Sequence, residues 1–154
     1  MAWNNLDGLK VKFGRERSEG NPKGRNTVQA TNHMTVAIDL VDGNHALTDV
    51  SEWDAFIPAG AYITKASLVV KEAAVGGTSV TIGLAQPDQT IIDADGIDAS
   101  VTTANLAANR AVNCDGALVG GVSTIGAERG VVYVTTSGTY TAGKMDLVIE
   151  YVGV

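Results

Sequence analysis

A single cysteine, Cys114, leaves this 154-residue chain without an intrachain disulfide, so its cysteine usage gives no sign of an oxidising compartment. It lies beside Asp115, with no histidine near it in sequence, and an acidic neighbour disfavours a reactive thiolate. Two histidines, His33 and His45, are too few for a zinc cluster. Each sits beside a strand start or a turn and reads as solvent-facing. No Gly-x-Ser-x-Gly elbow is present. The segment Gly14–Gly20 lacks the Lys-Ser/Thr and the following helix of a phosphate-binding loop. No apolar run approaches the length that spans a bilayer. No basic start followed by an apolar stretch suggests a signal peptide. The residues therefore point to no enzyme, no cofactor and no membrane contact, and no small-molecule site is indicated.

The residues that are plentiful belong to strands and turns. Hydrophobic residues make up 45% of the chain, enough for one core, and 18 glycines are interspersed with Val, Thr and Ile. The C-terminal stretch Gly130–Val152 organises the rest. Met145, Leu147, Ile149 and Tyr151 share one parity and Asp146, Val148, Glu150 and Val152 the other, which describes a half-buried strand. Val131–Thr136 is rich in β-branched and aromatic residues, and Ser137-Gly138 punctuates the connection. The pattern predicts an antiparallel pair whose apolar face a second layer must cover.

Earlier in the chain, Met34, Val36, Ile38 and Leu40 alternate with Thr35, Ala37, Asp39 and Val41 as a first strand. Leu47–Phe56 is open between a short helical turn and an irregular crossing. Tyr62–Ala74 is the longest strand candidate, with Ala66, Leu68 and Val70 inward. Gly76-Gly77 leads to Thr78–Ala85, with Val80, Ile82 and Leu84 inward, as a second predicted hairpin. Gln86–Ser100 reads as an Asp-rich loop in which Ile91, Ile92 and Ile97 tuck back. Its Asp93-Ala-Asp95-Gly96-Ile97-Asp98 run resembles half of a calcium loop, lacks the closing Glu, and is read as an acidic turn. A short helix capped by Thr102 or Thr103 is expected within 101–110, and a strand around Ala117-Leu118-Val119. Six to eight short strands with turns every eight to fifteen residues indicate an all-β, antiparallel β-sandwich, jelly-roll-like, with an immunoglobulin-like topology second because Cys…Trp…Cys spacing is missing.

Charge divides the chain. Residues 1–30 hold six basic and three acidic residues, net +3, while 31–154 hold five basic and fourteen acidic, net −9. Residues 1–33 carry no sustained period and are read as an extended basic arm ahead of a body at 34–154. With that body repelling phosphate, nucleic acid is not an expected partner. The arm's aromatic and aliphatic anchors Trp3, Leu6, Leu9 and Phe13, with Lys10, Lys12, Arg15 and Arg17, are the expected protein-contact residues.

Ile57-Pro58-Ala59-Gly60-Ala61-Tyr62-Ile63-Thr64-Lys65-Ala66-Ser67-Leu68-Val69-Val70, then Gly76-Gly77-Thr78-Ser79-Val80-Thr81-Ile82-Gly83-Leu84, and the closing Gly-Lys-Met-Asp-Leu-Val-Ile-Glu-Tyr-Val resemble the head decoration (cement) proteins of tailed bacteriophages. The resemblance spans about residues 34–152 and rests on strands and turns. It implies a sandwich body on the outer surface of the capsid, a homotrimer, an arm that reaches over neighbouring major capsid protein subunits, and assembly in the host cytoplasm. A tail or head-fibre protein of the virion, or a carbohydrate-binding module using Trp53, Phe56, Tyr62, Tyr133, Tyr140 or Tyr151, are the alternatives.

Overall fold

The structure, a computed structural model, describes residues 2–4, 10–12, 31–41 and 56–153. It divides into two units, Met1–Ala30 and Thr31–Val154, taken separately below. In the first, β1 (Ala2–Asn4) and β2 (Lys10–Lys12) pair antiparallel, with Trp3 opposite Val11.

Among the described residues, the second unit contains eight strands: β3 (Asn32–Asp39), β4 (Phe56–Ile57), β5 (Tyr62–Gly76), β6 (Ser79–Ala85), β7 (Ile91–Thr102), β8 (Ala111–Asn113), β9 (Gly130–Ser137) and β10 (Tyr140–Val152). The pairings are nested. β6 pairs with β7, β5 with β8, β4 with β9 and β3 with β10, as if one long hairpin closed about the β6–β7 turn. Rolling that hairpin adds β10 to β5 and β9 to β6. The results are two four-stranded antiparallel sheets, β3-β10-β5-β8 and β4-β9-β6-β7. This is the jelly-roll wrap, and it agrees with the all-β sandwich expected from the alternation.

Alternation also identifies the core. Met34, Ile38 and Leu40, Ala66, Leu68 and Val70, and Met145, Leu147 and Ile149 are buried from one sheet, facing Val80, Ile82, Leu84 and Val134 of the other. Val36 and Tyr151 belong to the same faces and are partly buried.

The two predicted hairpins are not hairpins. β5 and β6 lie in different sheets, as do β9 and β10. Their connections are corners where a two-stranded ribbon passes from one sheet to the other. The corners bind each other: the Gly77 N–H donates to the Thr139 carbonyl at 2.9 Å and the Thr78 N–H to the Ser137 carbonyl at 2.7 Å. Gly77 has φ +56°, and a side chain there would run into the Tyr140 ring. Glycine therefore marks a bend correctly, without revealing which sheet receives the next strand.

Three further expectations are corrected. The Asp-rich segment is strand β7, not a loop or acidic turn. Its register against β6 slips between Ile82↔Asp98 and Leu84↔Asp93, so β7 bulges there. The short helix is a single 3₁₀ turn, Thr103–Asn105, and Thr102 stands at its cap without a side-chain hydrogen bond. The strand expected at 117–119 lies earlier, as β8, and Val119 makes only an isolated parallel bridge to Ile63. Residues 42–55, covering most of the ambiguous Leu47–Phe56 stretch, lie outside the described residues; Phe56 opens β4.

Candidate interaction surface

The predicted contact residues divide between described and undescribed parts of the chain. Trp3 lies in β1, and Lys10 and Lys12 in β2, opposite Asn4 and Ala2. Leu6, Leu9, Phe13, Arg15 and Arg17 lie outside the described residues, as do His45 and Trp53.

Within the sandwich, Cys114 and its acidic neighbours lie on one backbone seam. The 114–120 segment closes one side of the sandwich, bonding to β5 through Cys114 N–H to the Ala66 carbonyl (3.0 Å) and Gly120 N–H to the Ile63 carbonyl (2.9 Å). On its other side, the Gly116 N–H reaches the Ile97 carbonyl (2.8 Å) and the Leu118 N–H the Gly96 carbonyl (2.9 Å). A side chain at position 116 would collide with the backbone of Gly96 and Ile97, so glycine is what allows this close approach. The seam brings Asp98 and Asp115 near the buried Cys114. Burial first, then those two carboxylates, push the thiol up to about 12. Burial also raises the Asp98 carboxyl, as does Asp115, while the Ser100 N–H at 3.0 Å opposes the shift. Fifteen residues part Asp98 from Cys114 in the chain, so no local pattern brings them together. The available signal was the pair of glycines, Gly96 and Gly116, in the touching segments.

Among the described residues, no group of three His, Cys, Asp or Glu side chains is placed to hold a metal ion. No buried side-chain polar atom among them lacks a hydrogen-bond partner. Three of the described body aromatics are engaged within the fold. Tyr140 is buried, and the Tyr62 hydroxyl donates to the Gly121 carbonyl at 2.8 Å. Phe56 is partly exposed under the Arg129 guanidinium, 5.2 Å from its ring centre.

One extended surface is the outer face of the β3-β10-β5-β8 sheet. Cross-strand register arranges it in rows: Thr35–Val148–Ser67–Asn113 and Ala37–Asp146–Val69–Ala111 in the middle, with His33–Glu150–Lys65 and Asp39–Lys144–Glu72 on either side. The middle rows are small or β-branched, and Val69 is exposed. Two ion pairs offset charge on it: Lys71 with Asp146 at 2.6 Å and Lys144 with Asp39 at 3.4 Å. Ser67 donates to the Asn113 side-chain carbonyl at 3.1 Å. Acidity gathers instead along β7 and the seam, in Asp93, Asp95, Asp98 and Asp115. A near-neutral face of small side chains suits contact with protein, since interface cores are depleted in unpaired charge.

No protein-family description and no curated protein matches the chain. Among solved structures it is similar to a chain in the capsid of Ralstonia phage GP4, at TM-score 0.56 and 17% identity over 88% of this chain and 92% of that one. A chain in the acid-stable capsid of Helicobacter pylori bacteriophage KHP30 is similar at TM-score 0.54 and 17% identity, over 81% and 89%. A chain in the capsid asymmetric unit of cyanophage Pam1 is similar at TM-score 0.55 and 12% identity, over 88% and 93%. At these identities what is shared is the fold, across most of each chain.

Proposed function

We propose that the protein is a structural component of a phage virion, and specifically a head decoration protein that binds the outer surface of the major capsid lattice and stabilises it. The observation that carries this reading is the jelly-roll likeness to chains of three phage capsids, which extends over most of both chains in every case. The described body agrees with it: its thiol is buried and raised to about 12, and two ion pairs offset charge on the outer face of the β3-β10-β5-β8 sheet. A clamp on a pressurised shell needs contact area and several attachment points more than catalysis. Three copies joined as a homotrimer raise the effective concentration of each attachment, so modest individual contacts suffice. The +3 arm is the proposed attachment to the shell, through Trp3, Leu6, Leu9 and Phe13 as anchors, with Lys10, Lys12, Arg15 and Arg17 directed at acidic surface.

The test is binding to shells that lack decoration, comparing the full chain with a form lacking residues 1–20. The full chain is expected to saturate the shells and raise their resistance to heat. The shortened form is expected to stay folded and bind much more weakly. Failure of the full chain to bind would overturn the decoration role; equal binding by both forms would move the contact to the sandwich.

A further inference from the structure

Exposed sheet edges invite pairing with other chains, and proteins blunt them by shortness, bulges, charge or proline. Among the described residues, three of the four edge strands of this sandwich are blunted. β8 has three residues and β4 two. β7 is long, but its register to β6 slips at three places and it carries Asp93, Asp95 and Asp98. β3 has neither shortness, bulge nor proline, and its polar groups His33 and Asp39 stand near its ends. It runs eight residues in one unbroken register with β10, from Asn32↔Tyr151 to Lys144↔Asp39. It contains no Pro, Lys or Arg, and Met34–Ile38 carries no charge. Among the described residues, no strand pairs with its far side.

The sequence of β3 is complementary to itself when reversed. We infer that β3 pairs edge to edge with β3 of a second copy, antiparallel about a two-fold axis through Val36, so that the two β3-β10-β5-β8 sheets become one. Antiparallel partners face the same side, which permits only registers that match inward with inward residues. Centred on Val36, the pairing sets Met34 against Ile38 inside and Thr35 against Ala37 outside. It also sets His33 of each copy opposite Asp39 of the other, the two polar ends of the strand. Moving the centre by one residue in either direction keeps the facing but sets His33 opposite Ala37, or Asp39 opposite Thr35. Val36 faces inward yet is only partly buried at the open edge, and on the axis it meets its own counterpart. The contact is isologous and closes at two copies. An edge pairing of this length falls below the roughly 1,000 Å² at which an interface holds by itself, so in free protein it forms transiently. It lies at the sheet edge rather than on the outer face and does not depend on the proposed virion role.

Directly opposed antiparallel residues have Cα atoms about 4.5–5.5 Å apart, within the roughly 4.4–6.8 Å that a disulfide bridges. Full-length Val36→Cys under mild copper-catalysed oxidation is therefore expected to give a reducible species of two 15.9 kDa chains. It should form at least about tenfold faster than from Ala127→Cys, an exposed site away from β3. The native Cys114 is buried and does not interfere. Mixed Thr35→Cys and Ala37→Cys chains should link to each other, and each alone should link about tenfold more slowly. Both positions are exposed, so this second experiment stands even if Val36→Cys folds poorly. Adding Ala37→Lys to Val36→Cys should suppress the link. Linking at position 36 no faster than at 127 overturns the inference. So does linking by Thr35→Cys or Ala37→Cys alone as fast as by the mixture.

Discussion

The hydroxyls of Tyr140 and Thr103 lie 3.0 Å apart, joining the first residue of β10 to the 3₁₀ turn that follows β7. Tyr140 is buried, and its ring occupies the space that a side chain at Gly77 would need. One side chain thus ties both sheet-to-sheet corners to the end of the β6–β7 pair.

Removing that hydrogen bond should cost modestly, while filling the space beside the ring should cost more. Tyr140→Phe is expected to lower unfolding stability by about 0.5–1.5 kcal/mol. Gly77→Ala combines positive φ with overlap on the ring and should exceed about 1 kcal/mol. Urea unfolding of both variants measures this. A Gly77→Ala chain as stable as the parent would show that the corner does not have the packing described.

Leu147 lies between Val36 and Leu68 across the sheet and is fully buried, whereas its neighbour Val148 faces outward. Leu147→Ala should destabilise by about 2–5 kcal/mol. Val148→Ala should stay within about 0.5 kcal/mol by the same unfolding measurement. If the outer face joins three copies, Val69→Glu should leave the melting temperature of the monomer fold near that of the parent and reduce the sedimenting mass from three chains to one. A parent that sediments at micromolar concentration as a 15.9 kDa monomer would count against a trimer in free solution.

Because burial and the carboxylates of Asp98 and Asp115 raise the Cys114 thiol to about 12, the native chain should resist alkylation at mildly alkaline pH. Labelling should appear only as the chain unfolds in denaturant. Cys114→Ser should leave attachment to shells unchanged. Rapid native labelling would place the thiol at the surface.

Asp98 sets a pH dependence whose sign follows from its environment. Its carboxyl is raised by burial and by Asp115, and Asp93 is raised by burial and by Asp95. A carboxyl whose folded value exceeds its unfolded one contributes stability that is full below the unfolded value, roughly 3.9, and is lost as pH rises through the folded value. Asp98→Asn keeps an acceptor for the Ser100 N–H and removes the ionisation. The variant should therefore melt higher than the parent at about pH 7, with the gain fading near about pH 3.5. A lower melting temperature at neutral pH would show that the ionised carboxylate stabilises the seam.

In the arm, Trp3→Ala is expected to weaken attachment to shells about thirtyfold, the equivalent of about 2 kcal/mol at an interface anchor. Lys10→Ala or Lys12→Ala alone should weaken it only a few-fold, with an effect that shrinks in high salt. Equal losses for Trp3 and the lysines would make the attachment electrostatic rather than anchored.

Local order along the chain determined which residues face the core. Met145, Leu147 and Ile149, or Val80, Ile82 and Leu84, alternate at the period of a strand, and that period is a property of adjacent residues alone. The same holds for the acidic bias of residues 31–154 and for the absence of a paired cysteine. Tertiary structure decided which strands are neighbours. Ser137-Gly138 and Gly76-Gly77 turn the chain equally well into a hairpin or around a corner, and only the burial of both sheets' inner faces against each other selects the corner. It also made a strand of Ile91–Thr102, whose aspartates and Gly96 read as loop, because β6 offers an open edge and bulges absorb the mismatch. The gathering of Asp98, Asp115 and Cys114, and the unblunted edge of β3, arise from pairings between distant segments, for which no local pattern of residues encodes the partner.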